Sequence, residues 1–215
     1  MRTASAFAAA VLLTFVTVAL ALVHGSPDRQ DSRPRTVFIG DSITWADSTS
    51  PGTRPGPGSW VHYAVEDRRS PWEFQANVAV SGQTLGQMDA RFERDVLSRH
   101  PRAVVIMGGT NDLILGAPLG LGELALRHMV ETAHGAGARV WIIGLPPLDH
   151  ARPGSLDAMA AMERDVARAT GATYVPVEGL ATRTGDWRRG LSFDGVHPTQ
   201  PGARALGDAV LDRLG

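Results

Sequence analysis

Residues 37–44 read VFIGDSIT, and this stretch decides the expected fold. A short apolar run ends at Gly40, and the polar pair Asp41 and Ser42 follows at once. Such a run predicts a buried strand that ends in a tight turn. In open α/β sheets, ligands bind at the edge where the strands have their carboxyl ends. Ser42 is therefore the first candidate for a functional side chain, and a serine at that place can act as a nucleophile.

Short apolar segments of the same kind recur along the chain, bounded by Gly, Pro or Asn. The predicted strands lie at residues 36–39, 74–80, 103–107, 139–143 and 173–177. Apolar residues at helical spacing predict helices within residues 85–96, 124–133 and 155–169, and a last helix is predicted over residues 200–214. Strands that alternate with helices predict a three-layer α/β/α sandwich around one mainly parallel, five-stranded sheet.

Three local features carry more specific expectations. Ser155 is expected to cap the third helix, and Gly135 and Gly137 to end the second. Residues 47–59 (DSTSPGTRPGPGS) are rich in Pro, Gly and Ser and follow Ser42 closely. Two interpretations stay open for this segment, a loop that covers the site or a solvated surface loop.

The N-terminal segment has the order of a secretory signal. Arg2 precedes an apolar stretch from about Ala6 to Val23, and small residues follow. The stretch is also close to the length of a membrane span. We therefore expect a signal peptide or N-terminal anchor over residues 1–25, a linker over 26–34 and one domain over 35–215. The protein is expected to be secreted or held at the cell surface, with any membrane association made by the N-terminus.

Composition excludes several kinds of partner and site. The formal net charge is -1 at pH 7, and the 21 basic residues, all arginine, are scattered. Nucleic-acid-binding proteins usually have a basic face, so no nucleic acid partner is expected. The absence of lysine excludes a Walker-type phosphate loop, and the absence of cysteine excludes disulfides and cysteine-ligated zinc. We expect no cofactor and no metal, and we predict a monomer.

Four polar segments are expected to meet at one edge of the sheet. Ser42 follows the first predicted strand, residues 81–82 (SG) the second, and residues 108–112 (GGTND) the third. Residues 194–198 (DGVHP) lie in the loop before the last helix. Serine, imidazole and carboxylate are the parts of an activated-nucleophile site, because a serine attacks at neutral pH only when a base takes its proton.

In the motifs GDSIT, SGQT, GGTND and DGVHP, the chain resembles the SGNH (GDSL-type) hydrolase family of esterases and lipases. The resemblance covers essentially the whole predicted domain and implies a flavodoxin-like α/β/α fold. It implies Ser42 as nucleophile, His197 as base and Asp194 as the partner of that base. It also implies an oxyanion hole formed by the backbone N–H groups of Ser42 and Gly82 and the side-chain amide of Asn111.

The implied activity is hydrolysis of carboxylic esters through an acyl-enzyme. The low aromatic content of 6% and the lack of a long apolar lid segment favour short acyl or acetyl groups. The expected substrate is a small-molecule, glycan or lipid ester. Trp45, Trp187 and Arg188 are candidates to contact it, because they lie close in sequence to the implied triad residues. Acyl transfer and lysophospholipase activity on the same site remain alternatives.

Two alternatives lie outside serine hydrolysis. One is a catalytically inactive domain that binds glycans. The other is a metal-dependent phosphoesterase with Asp41, Asn111, Asp194 and His197 as hard ligands, although the strand before Asp41 adds no further His or Asp. A complete set of site residues favours the serine hydrolase over both.

Overall fold

All the strands of the sheet run in the same direction. The computed structural model describes residues 32–215, and the expected signal or anchor over residues 1–25 lies outside them. The strands are β1 (Arg35–Gly40), β2 (Glu73–Asn77), β3 (Ala103–Met107), β4 (Arg139–Ile143) and β5 (Thr173–Val175). They pair in parallel in the order β2-β1-β3-β4-β5. The predicted five-stranded parallel sheet is confirmed.

Helices connect the strands and cover both faces of the sheet. They are α1 (Ser42–Trp45), α2 (Trp60–Glu66), α3 (Leu85–Asp89), α4 (Phe92–Asp95), α5 (Thr110–Leu115), α6 (Leu119–Gly135), α7 (Ser155–Thr170) and α8 (Gln200–Leu211). A single 3₁₀ turn, Leu97–Arg99, follows α4. Helix α2 packs on α8, and α6 packs on both α3 and α7. The predicted α/β/α sandwich is therefore confirmed.

The two faces of the sheet carry separate apolar clusters. Val37 and Ile39 of β1 belong to the cluster that contains α3, α6 and α7. Phe38, between them, belongs to the cluster that contains α2 and α8. Successive side chains of a strand point to opposite faces, so a strand buried on both sides must be apolar at every position. This requirement is why the centre of β1, residues 37–39, is a continuous apolar run.

The predicted helix within residues 85–96 is wrong in one respect. Its apolar residues are buried as expected, but the helix is divided into α3 and α4. Arg91 lies between the two helices with φ −119° and ψ 4°. Its guanidinium is buried and donates hydrogen bonds to the Val78 carbonyl and the Gln83 side chain, both at 2.6 Å. The spacing of the apolar residues predicts which side chains are buried, but it does not predict the break between α3 and α4.

The expected cap of the third helix is also wrong. Ser155 is the first residue of α7, and Gly154 precedes it as the N-cap with φ +76° and no side-chain cap. In α6, Leu124 shares the helical spacing of the buried residues Met129, Val130 and Ala133 but is itself 66% exposed.

Residues 47–59 form a loop along the outer strand of the sheet. The Gly52 N–H donates to the carbonyl of Asn77 at the end of β2, at 2.7 Å. The Arg54 guanidinium lies 5.0 Å from the centre of the Phe74 ring, on the same strand. An exposed edge strand offers unpaired backbone groups to other chains, and a loop that covers it removes them. These contacts favour a surface loop at the sheet edge over a cover for the site.

Between residues 32 and 215, no helix combines the length and the apolar character needed to cross a membrane.

We expect Glu163→Gln to stabilise the protein at alkaline pH. Glu163 is 1% exposed on α7, its Oε2 has no hydrogen-bond partner among the described residues, and burial raises its pKa well above the ordinary value. The stability that the neutral carboxyl contributes is present below the ordinary glutamate pKa and lost as pH rises through the folded-state pKa. The Tm of the variant should exceed the wild-type Tm by several degrees at about pH 8 and by little at about pH 4. Thermal unfolding at both pH values tests this, and an equal gain at both would contradict it.

Candidate active site

Ser42 lies at the carboxyl edge of the sheet because of the turn that follows β1. A Cβ at Gly40 would lie 2.5 Å from Thr44 Oγ1 and 2.6 Å from the Met107 carbonyl oxygen, so only glycine fits there. The Asp41 side chain then caps α1 and accepts the Ile43 N–H at 3.0 Å. Ser42 is consequently the first residue of a helical turn and is partly exposed at the end of a buried strand.

The structure brings Ser42, His197 and Asp194 into one hydrogen-bonded chain. Ser42 Oγ lies 2.8 Å from His197 Nε2, and His197 Nδ1 lies 2.7 Å from Asp194 Oδ2. With the proton on Nδ1, the ring donates to Asp194 and accepts the hydroxyl proton of Ser42. This arrangement allows the imidazole to remove the serine proton.

Backbone and side-chain hydrogen bonds hold the loop that carries His197. Asp194 Oδ1 accepts the N–H groups of Val196 at 2.9 Å and of His197 at 2.7 Å. The Ser192 hydroxyl donates to the His197 carbonyl and accepts the Gly195 N–H. Burial alone would raise the pKa of Asp194, but the hydrogen bonds from the His197 ring and from the two N–H groups outweigh it, and the pKa lies below its ordinary value. Asp194 therefore stays ionised beside the imidazole.

Gly82 and Asn111 lie on adjoining segments of the same edge. Val80 N–H donates to the Gly40 carbonyl at 3.0 Å, which brings the turn after β2 close to the turn before Ser42. Gly82 has φ +79° and open space where a Cβ would be. The Asn111 amide donates one N–H to the Gln83 carbonyl at 2.9 Å, which leaves its second N–H for a ligand.

Two further carboxyl groups, those of Asp41 and Asp112, are buried at this edge. Each accepts a hydrogen bond from a backbone N–H. Burial raises the pKa of Asp41 to about 6, against the lowering effect of the Ile43 N–H. Asp112 accepts the Leu85 N–H at 3.0 Å, which joins the GGTND turn to the start of α3, and burial raises its pKa as well. Through its bond to the Ile43 N–H, Asp41 shapes the turn that carries Ser42.

The three candidates for substrate contact lie in different environments. Trp45 ends α1 and is partly exposed, one helical turn after Ser42. Trp187 is 6% exposed, and its ring packs in the apolar cluster of α2 and α8. The Arg188 guanidinium donates to the Gly179 carbonyl at 2.9 Å. The Trp187 ring fills the core and presents little surface to a ligand, and Arg188 is engaged with the loop after β5, so substrate contact by these residues stays a prediction.

Sequence reasoning missed two residues that contact the His197 loop. The Phe193 ring is 70% exposed and stacks on the His197 ring, with centroids 5.8 Å apart and planes at 14°. Asp149 donates its N–H to the Gly195 carbonyl at 2.9 Å and accepts the Trp187 N–H at 2.7 Å. Phe193 stands next to Asp194 in sequence, which is a weak signal. No sequence signal points to Asp149, because its hydrogen-bond partners are remote in sequence.

The described part of the chain contains no cluster of three or more His, Cys, Asp or Glu side chains able to hold a metal ion. Asp194 and His197 are bonded to each other instead. The donor set proposed for a metal-dependent phosphoesterase therefore does not assemble here.

Comparisons with solved structures agree with the observed fold. The acetylxylan esterase Axe2 of Geobacillus stearothermophilus superposes with a TM-score of 0.69 at 22% identity, over 85% of this chain and 94% of its own. A protein assigned to the G-D-S-L lipolytic family, from Desulfitobacterium hafniense, superposes with a TM-score of 0.69 at 23% identity, over 83% of this chain and 98% of its own. At these identities the likeness establishes the α/β/α fold. A comparison with curated protein sequences finds no match.

Family membership follows from a match that covers most of the domain. Residues 38–205 match the GDSL-like Lipase/Acylhydrolase family, and this range includes the serine, glycine, asparagine and histidine segments described above. The chain therefore belongs to the GDSL-like lipase/acylhydrolase family and is a carboxylic ester hydrolase.

Proposed function

We propose that the protein cleaves carboxylic esters through an acyl-enzyme on Ser42, with His197 as base and Asp194 as its partner. The observation that carries this proposal is the hydrogen-bonded chain from Ser42 Oγ through His197 to Asp194, at 2.8 and 2.7 Å. A neutral imidazole in that position can take the serine proton as the hydroxyl attacks. The ionised Asp194 holds the tautomer and stabilises the imidazolium that forms.

The reaction proceeds in two half-reactions. Ser42 Oγ bonds to the ester carbonyl carbon while its proton moves to His197 Nε2. The backbone N–H groups of Ser42 and Gly82 and the free N–H of Asn111 stabilise the oxyanion. The intermediate then expels the alcohol, which takes the proton from His197. In the second half-reaction His197 deprotonates a water that attacks the acyl-enzyme, and the carboxylic acid leaves while Ser42 regains its proton.

Axe2 supports this assignment of roles by analogy. Structures of that acetylxylan esterase are described as catalytic mutants at one serine, one histidine and one aspartate. The same residue types form the bonded chain here. We take short acyl esters, including acetyl esters of saccharides, as the substrates to test first. An exported location, as the N-terminal sequence predicts, would place such substrates within reach.

Labelling with a fluorophosphonate tests the proposal directly. An activated serine forms a stable covalent adduct with this reagent, and peptide mass spectrometry locates the adduct. We expect label on Ser42 in the folded protein, together with turnover of p-nitrophenyl acetate. Ser98→Ala changes an exposed serine whose hydroxyl bonds to the Arg94 carbonyl, and it should keep both properties. A folded protein that hydrolyses the ester without labelling at Ser42 would overturn the proposed nucleophile.

Asn111→Ala is expected to reduce kcat by about 10²–10³, because one oxyanion donor is lost. KM should change much less, since the donor acts on charge that develops in the transition state. Steady-state kinetics with p-nitrophenyl acetate, with the Tm measured alongside, separates this effect from misfolding. Turnover near the wild-type rate in a folded variant would remove Asn111 from the oxyanion hole.

A further inference from the structure

A buried arginine lies beside the turn that carries Gly82. Arg91 stands between α3 and α4, and only 6% of it is exposed. Its Nη1 lies 3.2 Å from the Asp95 carboxylate, and its Nη2 has no hydrogen-bond partner among the described residues. A buried charge that is incompletely bonded adds little to stability, and such groups are found mainly at functional sites. Packing alone therefore does not account for Arg91.

The guanidinium of Arg91 bonds to the chain on both sides of Gly82. Nη1 donates to the Val78 carbonyl and Nε donates to Gln83 Oε1, both at 2.6 Å. Val78 lies directly after β2, whereas Ser81 and Gly82 are exposed. An exposed turn is fixed mainly by the residues that flank it. The two bonds from Arg91 therefore limit the positions that the Gly82 N–H can take.

Gln83 connects the two segments that carry the proposed oxyanion donors. Its carbonyl accepts one N–H of the Asn111 amide at 2.9 Å, while its side chain accepts from Arg91. Gly82, which supplies the backbone donor, is the residue before it. Since Gln83 is bonded to both Arg91 and Asn111, the position of the Gly82 N–H is tied to the position of the Asn111 amide. A shift of Gln83 would change the distance between the two donors.

We propose that Arg91 and Gln83 are positioning residues for the oxyanion hole, and that their bond fixes the spacing between the Gly82 N–H and the Asn111 amide. This inference rests on the proposed function, since it assumes that both donors stabilise the oxyanion. The two residues act through these donors rather than on the substrate. Donors that are already in place need no reorganisation as charge develops, and a displacement of about 1 Å can reduce the rate by about 10²-fold.

A pair of substitutions at Gln83 tests the bond to Arg91. Gln83→Leu removes the side-chain acceptor at similar size, whereas Gln83→Glu keeps an oxygen that can accept from the guanidinium. Both variants keep the backbone carbonyl that binds Asn111. We expect Gln83→Leu to reduce kcat for p-nitrophenyl acetate by about 10–10²-fold with little change in KM, and Gln83→Glu to retain most of the wild-type kcat. Equal losses in the two folded variants, or no loss in Gln83→Leu, would overturn the inference.

Gln87→Leu is the matched control. Gln87 is an exposed glutamine of α3, and its Oε1 accepts the Thr84 N–H at 3.0 Å rather than a bond from Arg91. This variant should keep the wild-type kcat. Thermal unfolding of all three variants shows whether each is folded at the assay temperature. A fall in kcat that is equally large in folded Gln87→Leu would indicate a general effect of the turn and would contradict a specific role for Gln83.

A double variant separates positioning from an unrelated effect on the fold. Once the Asn111 amide is removed, the spacing between the two donors no longer contributes. Gln83→Leu combined with Asn111→Ala should therefore lose clearly less kcat than the product of the two single losses. Losses that multiply would reject the inference.

The failure of this inference can be distinguished from failure of the proposed function. Turnover that persists at the wild-type rate in Ser42→Ala would show that the proposed function has failed. Turnover that requires Ser42 and Asn111 but is unchanged in Gln83→Leu would reject only the positioning role of Arg91 and Gln83.

Discussion

Alanine at Ser42 or at His197 is expected to reduce kcat for p-nitrophenyl acetate on the order of 10⁶. The two side chains are bonded at 2.8 Å and act as one unit, because the hydroxyl attacks only as its proton moves to the imidazole. The double variant should therefore lose about as much as either single variant. Any residual rate should come from the oxyanion donors and from substrate binding.

Single-turnover and steady-state kinetics on the three variants, with fluorophosphonate labelling, measure this effect. His197→Ala should lose label at Ser42 as well as turnover, since the hydroxyl has lost its base. His128→Ala is the control, because His128 also binds a carboxylate, that of Asp89, on the helical surface. Losses that multiply in the double variant would contradict a single catalytic unit.

Asp194→Asn is expected to reduce kcat by ~10⁴ while the loop keeps its shape. The asparagine oxygen can still accept the N–H groups of Val196 and His197, as Asp194 Oδ1 does. The new NH₂ group, however, would face His197 Nδ1 and donate to it. The ring proton would then lie on Nε2, which could no longer accept the proton of Ser42.

Asp89→Asn provides a matched control. Asp89 and His128 form a second pair with the same 2.7 Å distance, away from the site. This variant should keep the wild-type kcat, whereas Asp194→Asn should lose it with little change in KM or Tm. If Asp194→Asn lowered kcat by less than about tenfold, Asp194 would not be the residue that sets the tautomer.

Local patterns were sufficient for the sheet and for the choice of segments that form the candidate site. The apolar runs at residues 103–107 and 139–143 predict strands, and these residues form β3 and β4. The prediction succeeds because a strand that is buried on both faces is apolar along its length. Local patterns failed where a long-range contact determined the local structure. The helix break at Arg91 depends on hydrogen bonds from its guanidinium to Val78 and Gln83. The spacing of apolar residues does not predict these bonds.

The sequence by itself determined that a serine, a glycine, an asparagine and an Asp–His pair follow successive elements of an α/β chain. It did so because glycine turns, apolar runs and the aspartate three residues before His197 are local features. Only the tertiary structure decided that Ser42 and His197, 155 positions apart, stand 2.8 Å from each other. The tertiary structure also determines that Trp187 is buried and that a groove lies beside Val196. Those outcomes depend on how helices pack on the two faces of the sheet, and that packing is a property of the whole chain.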